Sequence, residues 1–500
     1  MDSGWGIRLL QKTIRSGIIA LAVFAPLAFG AVHVWAYSVV EISVIFLMGL
    51  WLMQTFFKAK SQVEHKKHKI PLGFNLLLGG FVCLIIFQLI PFSPKVIKRL
   101  SPAAYDLYRA LLPKYDCRTE PEHSLRRQSG SDSPCLGVEN ASCAGEKSLR
   151  PISIYPFATK TELLKLLSYI GLFYLVTNSQ YTRKQVNWLI AIIILVGCFE
   201  AFYGLLEYIS GHQYILLYKK KYYTDCVTGT FINRNHFAGY LELVIALTVG
   251  VMVYQWHRLP DNMSRGIRGI ILRLAGEQGG KLAFLGLGVI LMLLAVIGSQ
   301  SRMGILSITF SLVLMSVFWL FQAGGKSFLK FVYLLFLAGC LAGMWLGPEP
   351  LINRFSLLRQ EARYERSRVS VWHDTLCLIS DFPLLGSGLG TYRYIFPKYR
   401  QVRTQGNYQH AHNDYLELAA ETGLVGFAML MTLAGYFIYL LIKKWRRRNS
   451  IYVKGISLGG LGGLAALLFH GMADFNMHIP ANPLLLSIIM GISWRAVTQL

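Results

Sequence analysis

Charge is scarce in this chain: 15% of its 500 residues are Asp, Glu, Lys or Arg, and the acidic ones number 26. A soluble chain of this length carries nearer a quarter charged residues, spread over two or three domains, so that class is excluded. Despite a formal net charge of +24, no basic domain stands apart from the apolar runs, and nucleic acid is not expected as a partner. The glycine-rich stretch Asp381–Gly390 lacks the Lys and Ser/Thr of a nucleotide P-loop. It reads instead as a turn that lets backbone approach a ligand or another helix. No internal repeat of the kind that marks many transporters is present. The cysteines lack zinc spacing, with no close pair and no flanking histidines.

What the chain does have is long apolar runs. Hydrophobic residues make up 54% of it, with a mean hydropathy of +0.43. They fall in runs of about 17–23 residues, enough to cross a hydrocarbon core of roughly 30 Å. Spans are predicted near 17–36, 38–57, 73–92, 162–178, 186–208, 236–256, 282–298, 303–322, 327–347, 423–443, 454–472 and 483–499. The expected class is therefore an all-α polytopic membrane protein with about twelve transmembrane helices. The first run follows Arg8, Lys12 and Arg15, but it is long for a signal peptide and further spans follow. It reads as an anchor helix.

Lysine and arginine set the orientation. Segments 1–16, 58–69, 257–281 and 443–454 are rich in them, including Lys58, Lys60, Lys66, Lys67 and Lys69, then Lys443, Lys444, Arg446, Arg447 and Arg448. They alternate with poor segments at 31–38 and 473–482. With both termini cytoplasmic, every basic short loop falls inside, where it can also meet anionic membrane lipids.

The chain then divides into three spans (1–92), an extracytoplasmic loop (93–161), spans four to nine (162–347), a second large loop (348–422) and three last spans (423–500). The composition of the first loop suits partial disorder; the second mixes aromatic and apolar residues with arginines and can fold. The stretch 209–235 carries Lys219, Lys220 and Lys221 against the charge rule, which calls for another explanation, such as an anionic ligand or lipid. Cys117, Cys135, Cys143 and Cys226 also fall outside, an even number that permits disulfides in three connectivities.

The richest segment for chemistry is Gln409–Gly423. Asn413 suits a helix N-cap, apolar residues follow at helical spacing, and Gly423 suits the helix end. His412 then stands just before a helix N-terminus, whose partial positive charge favours neutral imidazole, the form a general base needs. His410 and His412 alone, without a further ligand cluster, do not make a metal site, and neither metal nor cofactor is expected. Arginines are the second element: Arg302 in a tight break between apolar runs, Arg234 before the sixth span, and Arg368 four residues before Trp372. Each guanidinium can fork onto a phosphate, although any one taken singly is better read as a snorkelling or interfacial arginine.

These motifs resemble those of the O-antigen ligase and polymerase superfamily of bacterial envelope glycosyltransferases. The resemblance rests on His412, Asn413, nine residues and Gly423; on Arg302 to Leu306; on Gly229 to Asn235, with Asn233 and Asn235; and on Arg368, Trp372 and the glycine turn to Gly388. It covers roughly residues 190–440. It implies an inverting, metal-independent transfer of a glycan from an undecaprenyl-diphosphate carrier to a glycan, lipid or protein acceptor, at the periplasmic face of the inner membrane. By the same resemblance His412 is the base, Arg302, Arg234 and Arg368 hold the diphosphate, and Asn413, Asn233, Asn235 and Trp372 support them. Ligase, polymerase and protein O-oligosaccharyltransferase are not separated. The competing class is a twelve-span secondary transporter, for which Glu41, Glu200 and Glu207 are the in-membrane acids to inspect.

Overall fold

The computed structural model describes residues 3–60, 70–112, 149–179, 181–259, 276–323, 368–401 and 408–499. The chain forms α1 (Ser3–Leu27), α2 (Val34–Lys60), α3 (Leu72–Leu89), the short α4 (Pro94–Leu100) and α5 (Pro102–Leu111), α6 (Pro156–Asn178) and α7 (Arg183–Ser210). A small hairpin follows, β1 (Tyr214–Ile215) with β2 (Tyr218–Lys219), the only sheet among the described residues. Then come α8 (Arg234–Trp256), α9 (Glu277–Gly298), α10 (Arg302–Ala323), α11 (Arg368–Asp381), α12 (Asp414–Arg446), α13 (Ile451–His470) and α14 (Ala481–Gln499).

Nine of the described helices are long and apolar enough to cross a membrane. The protein is an all-α polytopic membrane protein. Helices α6 and α14, at two more predicted spans, fall short of that apolarity for a physical reason. Most of α14 is buried among other helices, so it can carry Asn482 and Arg495 without exposing them to lipid. The opening turns of α6 hold Lys160, Glu162 and Lys165. The span predicted at 327–347 lies outside the described residues. The first helix corrects the sequence reading: it spans Ser3–Leu27, not 17–36, because Arg8, Lys12 and Arg15 are accommodated in its early turns. The chain then turns at Gly30 and re-enters as α2.

Helices α8 and α13 are the centre of the bundle. Gly250, Gly455 and Gly459 let their backbones meet: a Cβ on Gly250 would lie 2.4 Å from the Gly455 carbonyl oxygen, and one on Gly459 2.9 Å from that of Ala246. Small residues at crossings are how apolar helices gain close packing where burial from water offers little. The N-terminus of α8 and the C-terminus of α13 emerge at the same end, and the polar site lies there.

A second, smaller core caps that end. Ile97, Tyr105 and Tyr108 from the first long loop pack with Val371, Leu378, Phe396 and Ala411 from the second. The Tyr108 hydroxyl lies 3.0 Å from the carbonyl oxygens of both Pro151 and Ser153. Buried Gln88, at the end of α3, ties the cap down: its amide donates to the Leu385 and Glu421 carbonyls at 2.6 and 2.9 Å and accepts from Leu389 N at 3.1 Å. The described parts of the first loop are thus folded; its residues 113–148 lie outside the described set.

Candidate active site

The histidine segment is built as its sequence suggests. Asn413 Oδ1 accepts from the backbone N–H groups of Tyr415 and Leu416, capping α12. At Gly423 the helix breaks, with φ 66° and ψ 177°, before the long transmembrane part continues. The break is sealed by the glycine turn. Ser387 N donates to Ala420 O at 3.0 Å, Gly388 N to Glu421 O at 2.9 Å, and Leu424 N to Pro383 O at 2.7 Å. Carbonyls orphaned at the end of the first α12 segment are satisfied this way. The same bonds occupy Ser387 and Gly388 N–H groups that a phosphate would need, in keeping with the absence of a P-loop signature. Gly386 and Gly423 make the approach possible: a Cβ on either would stand 2.2 Å from the other strand's backbone oxygen.

His412 itself has φ +50°, in the left-handed region. For a residue with a side chain this conformation costs on the order of 1–3 kcal/mol and persists only where surroundings impose it. Here Trp372 Nε1 donates to Ala411 O at 3.1 Å on one side, and Asp414 N donates to Gly471 O at 2.9 Å on the other. The imidazole Nδ1 lies 3.6 Å from Asp474 Oδ1, and the ring meets Phe475 edge-on.

Asp474 is the hub of the site. It is fully buried in the turn after α13. Arg368 donates to the Ala473 carbonyl and places Nη2 3.6 Å from Asp474 Oδ2, which also accepts from Asn235 Nδ2. Burial alone would raise the Asp474 carboxyl, but the adjoining His412 and Arg368 outweigh it and hold the group well below the usual carboxylate range. Asn233 caps α8, its Oδ1 accepting from Asn235 N at 2.9 Å, which orients Asn235. Arg234 lies over the Tyr223 ring at 5.3 Å, with Nε and Nη1 buried and unpartnered among the described residues. Such nitrogens are costly unless an acceptor arrives. Arg302 opens α10, two residues past Gln300, whose amide donates to Asp225 O at 3.0 Å. That bond and Val227 N to Gly298 O, also 3.0 Å, join the Arg302 turn to the Tyr223–Cys226 loop.

Seven of the eight predicted site residues thus connect through Asp474, Tyr223 and the His412 turn; Arg302 is not among them, though its turn is bonded to the loop that carries Tyr223. Sequence reading missed Asp474 and His478. The signal was present in Asp474-Phe-Asn-Met-His478, a dense polar string inside a short loop between two apolar runs. His478 Nδ1 lies 3.1 Å from Asp414 Oδ1 and its Nε2 3.3 Å from Glu417 Oε1. Burial opposes charging this ring, yet Glu417 and Asp414 raise it to about 10.

Three side chains here could hold a metal: ligand atoms of His410, Glu417 and His478 lie within 4.8 Å of one another. Both His478 nitrogens already face carboxylates, and Glu417 Oε1 is 2.7 Å from His410 Nδ1. A cation would have to displace a firmly held proton, so the trio fits an ion-pair cluster better.

One expectation is corrected. Lys220 needs no ligand, because its Nζ pairs with Glu207 at 2.7 Å, both side chains 3% exposed. A buried amine with a carboxylate partner can sit against the charge rule. Among the described residues Cys226 is a free, buried thiol, which burial pushes up to about 11. Cys117, Cys135 and Cys143 lie outside the described residues.

Fold and site together define a membrane protein with a polar histidine–carboxylate–arginine site at one end of its helix bundle. Residues 287–431 match the family model described as O-antigen ligase, which supports the resemblance to that superfamily. That match supports a function in glycan transfer at a membrane. The match spans Arg302, Arg368, Trp372, the glycine turn and His412–Gly423, while Arg234, Asp474 and His478 fall outside it. No curated protein matches the chain.

Proposed function

We propose that the protein transfers a glycan from an undecaprenyl-diphosphate carrier to an acceptor hydroxyl, at the periplasmic face of a bacterial inner membrane, with both termini cytoplasmic. His412 takes the proton of the acceptor hydroxyl. With Nδ1 turned toward Asp474, Nε2 is the nitrogen left to act as base. The freed oxygen attacks the anomeric carbon from the face opposite the diphosphate. As that bond forms, the bond to the diphosphate oxygen breaks, its electrons leave with undecaprenyl diphosphate, and the anomeric configuration inverts. Arg234, Arg368 and Arg302 hold the diphosphate and stabilise charge growing on the leaving oxygen. Asp474 acts through His412 and Arg368, orienting both. Metal plays no part in this scheme.

The observation that carries the reading is His412 in a strained turn against buried Asp474, with unpartnered guanidinium nitrogens of Arg234 close by in the same cluster. Two of the acids that a transporter would use are engaged locally. Glu200 accepts from Thr230 N at 2.9 Å and Thr230 Oγ1 at 2.6 Å, and Glu207 pairs with Lys220. Glu41 feels the charge of Lys165, but its buried Oε1 has no hydrogen-bond partner among the described residues.

The test is transfer by purified protein from a defined undecaprenyl-diphosphate glycan, with and without His412→Ala. Product from wild type alone supports the scheme, and product length separates ligase from polymerase. No product with any of several donors and acceptors moves the weight to transport, tested next by uptake.

A further inference from the structure

Lys219 and Lys221 flank the buried Lys220–Glu207 pair, and among the described residues neither is shown with an acid partner. Both are exposed. They belong to the hairpin β1–β2, whose two-residue turn is Leu216–Leu217. Such turns favour Gly, Asn or Asp, because a central position takes positive φ. Here that position is held by Leu216, at φ +53°, and Leu217 beside it is 99% exposed. Tyr218 and Tyr222 are exposed next to them. In water two leucines are a poor choice for this tip.

The hairpin does not project away from the bundle but folds back along α7. Tyr203 Oη donates to Tyr214 O at 2.8 Å and accepts from Leu216 N at 2.7 Å. Lys220 meets Glu207, one turn nearer the helix end. Tyr203 stands seven residues before Ser210, which ends α7, and so about 10 Å back along the axis. At 28 residues α7 is roughly 42 Å long, against a hydrocarbon core of about 30 Å. Tyr203, and the hairpin tip bonded to it, therefore lie near the edge of the hydrocarbon. Around Tyr203 on α7, Phe199, Phe202 and Leu206 are exposed and apolar, the mark of a lipid-facing side. Cross-strand pairing sorts the hairpin's own faces. Ile215 pairs with Tyr218; the first is buried and the second meets the Phe29 ring edge-on at 5.9 Å. Lys219 pairs with Tyr214 on the opposite face.

We infer that this hairpin is a membrane-surface wedge. Leu216 and Leu217 enter the acyl region of the leaflet at the site's end of the bundle, and Lys219 and Lys221 bind the phosphates of its anionic phospholipids. Lysine stems can lie along apolar surface while the ammonium stays at the headgroups, and tyrosines suit the same boundary. Tyr223, the ring beneath Arg234, follows Tyr222 directly, so the wedge fixes the depth of that arginine relative to the headgroups. The inference rests on the membrane class of the protein and is independent of the transferase reading.

The test uses the full chain in nanodiscs of equimolar phosphatidylcholine and phosphatidylglycerol with identical acyl chains. Leu217→p-benzoylphenylalanine puts a photo-crosslinker at the tip, where the native side chain is almost wholly exposed. Irradiation should give acyl-chain adducts, identified by mass spectrometry and enriched in phosphatidylglycerol. Adding Lys219→Gln or Lys221→Gln should cut that enrichment about fivefold each, the worth of one basic residue at an anionic surface. A tip that crosslinks to no lipid overturns the inference. Equal yields of the two lipids with both lysines present, or an enrichment that the lysine substitutions leave in place, also overturns it. Undecaprenyl phosphate added to the same nanodiscs should not displace the phospholipid adducts; preferential crosslinking to it would assign the hairpin to an isoprenoid substrate instead.

Discussion

Nδ1 of His412 stands 3.6 Å from Oδ1 of Asp474, across two loops that are 62 residues apart in the chain. The histidine precedes α12 and the aspartate follows α13, so the pair exists only when these antiparallel helices pack. Asp474→Asn removes the charge while keeping the shape. We expect kcat to fall by about two to four orders of magnitude, the usual worth of a positioned general base, with acceptor KM little changed and membrane insertion intact. His412→Ala should abolish transfer. A D474N enzyme of wild-type kcat would remove Asp474 from the mechanism.

The arginines should not tolerate lysine. An ammonium cannot reproduce a two-pronged contact with a diphosphate. Arg302→Lys, Arg234→Lys and Arg368→Lys are each expected to lower kcat/KM for the donor roughly ten- to a hundredfold, the worth of one or two charge-assisted hydrogen bonds. Steady-state kinetics against donor concentration reads this directly.

His478 makes stability depend on pH, and its sign can be worked out. Its ordinary value is 6.5, and the folded protein raises it to about 10. Between these values the folded state keeps a proton that the unfolded state has lost, so stability falls as pH rises. The contribution is complete below pH 6.5 and gone above about 10. Thermal unfolding of the detergent-solubilised protein should show Tm declining across that window, and His478→Gln should flatten the decline. A decline of equal slope in both proteins would assign it to other groups.

Gly386 and Gly423 are expected to accept no side chain. Both have positive φ, and an added Cβ would overlap backbone at 2.2 Å. Gly423→Ala should destabilise by on the order of 3 kcal/mol or more, seen as loss of monodisperse protein on size exclusion. Gly435→Ala, with nothing within 4 Å of the new Cβ, is the control and should behave as wild type.

Chelation addresses the His410–Glu417–His478 trio. Transfer should proceed unchanged in excess EDTA. Activity lost to EDTA and restored by one divalent ion would make the trio a metal site and rewrite the role of Glu417.

Much of the site could be read from local spacing because its parts are local devices. Asn413 caps a helix, Gly423 breaks it, and Trp372 lies one helical turn from Arg368; each depends on a few neighbouring residues. What spacing could not show was partnership. Asp474 and His478 sit in a loop that looked notable only for lacking Lys and Arg, and nothing within that loop says which histidine or arginine it will meet. The same limit misassigned Lys220, whose partner Glu207 lies across the hairpin.

The sequence by itself determined the membrane class, the approximate positions of most described spans and the helix ends that carry chemistry. Apolar length and backbone hydrogen-bonding needs leave little choice once a run of about twenty residues must cross lipid. Only the tertiary structure decided that the two long loops share one small core, that Asp474 joins His412 to Arg368, and that a cavity opens beside the base. Those outcomes depend on side chains far apart in the chain meeting across packed helices, and periodicity carries no information about which distant surfaces will face each other.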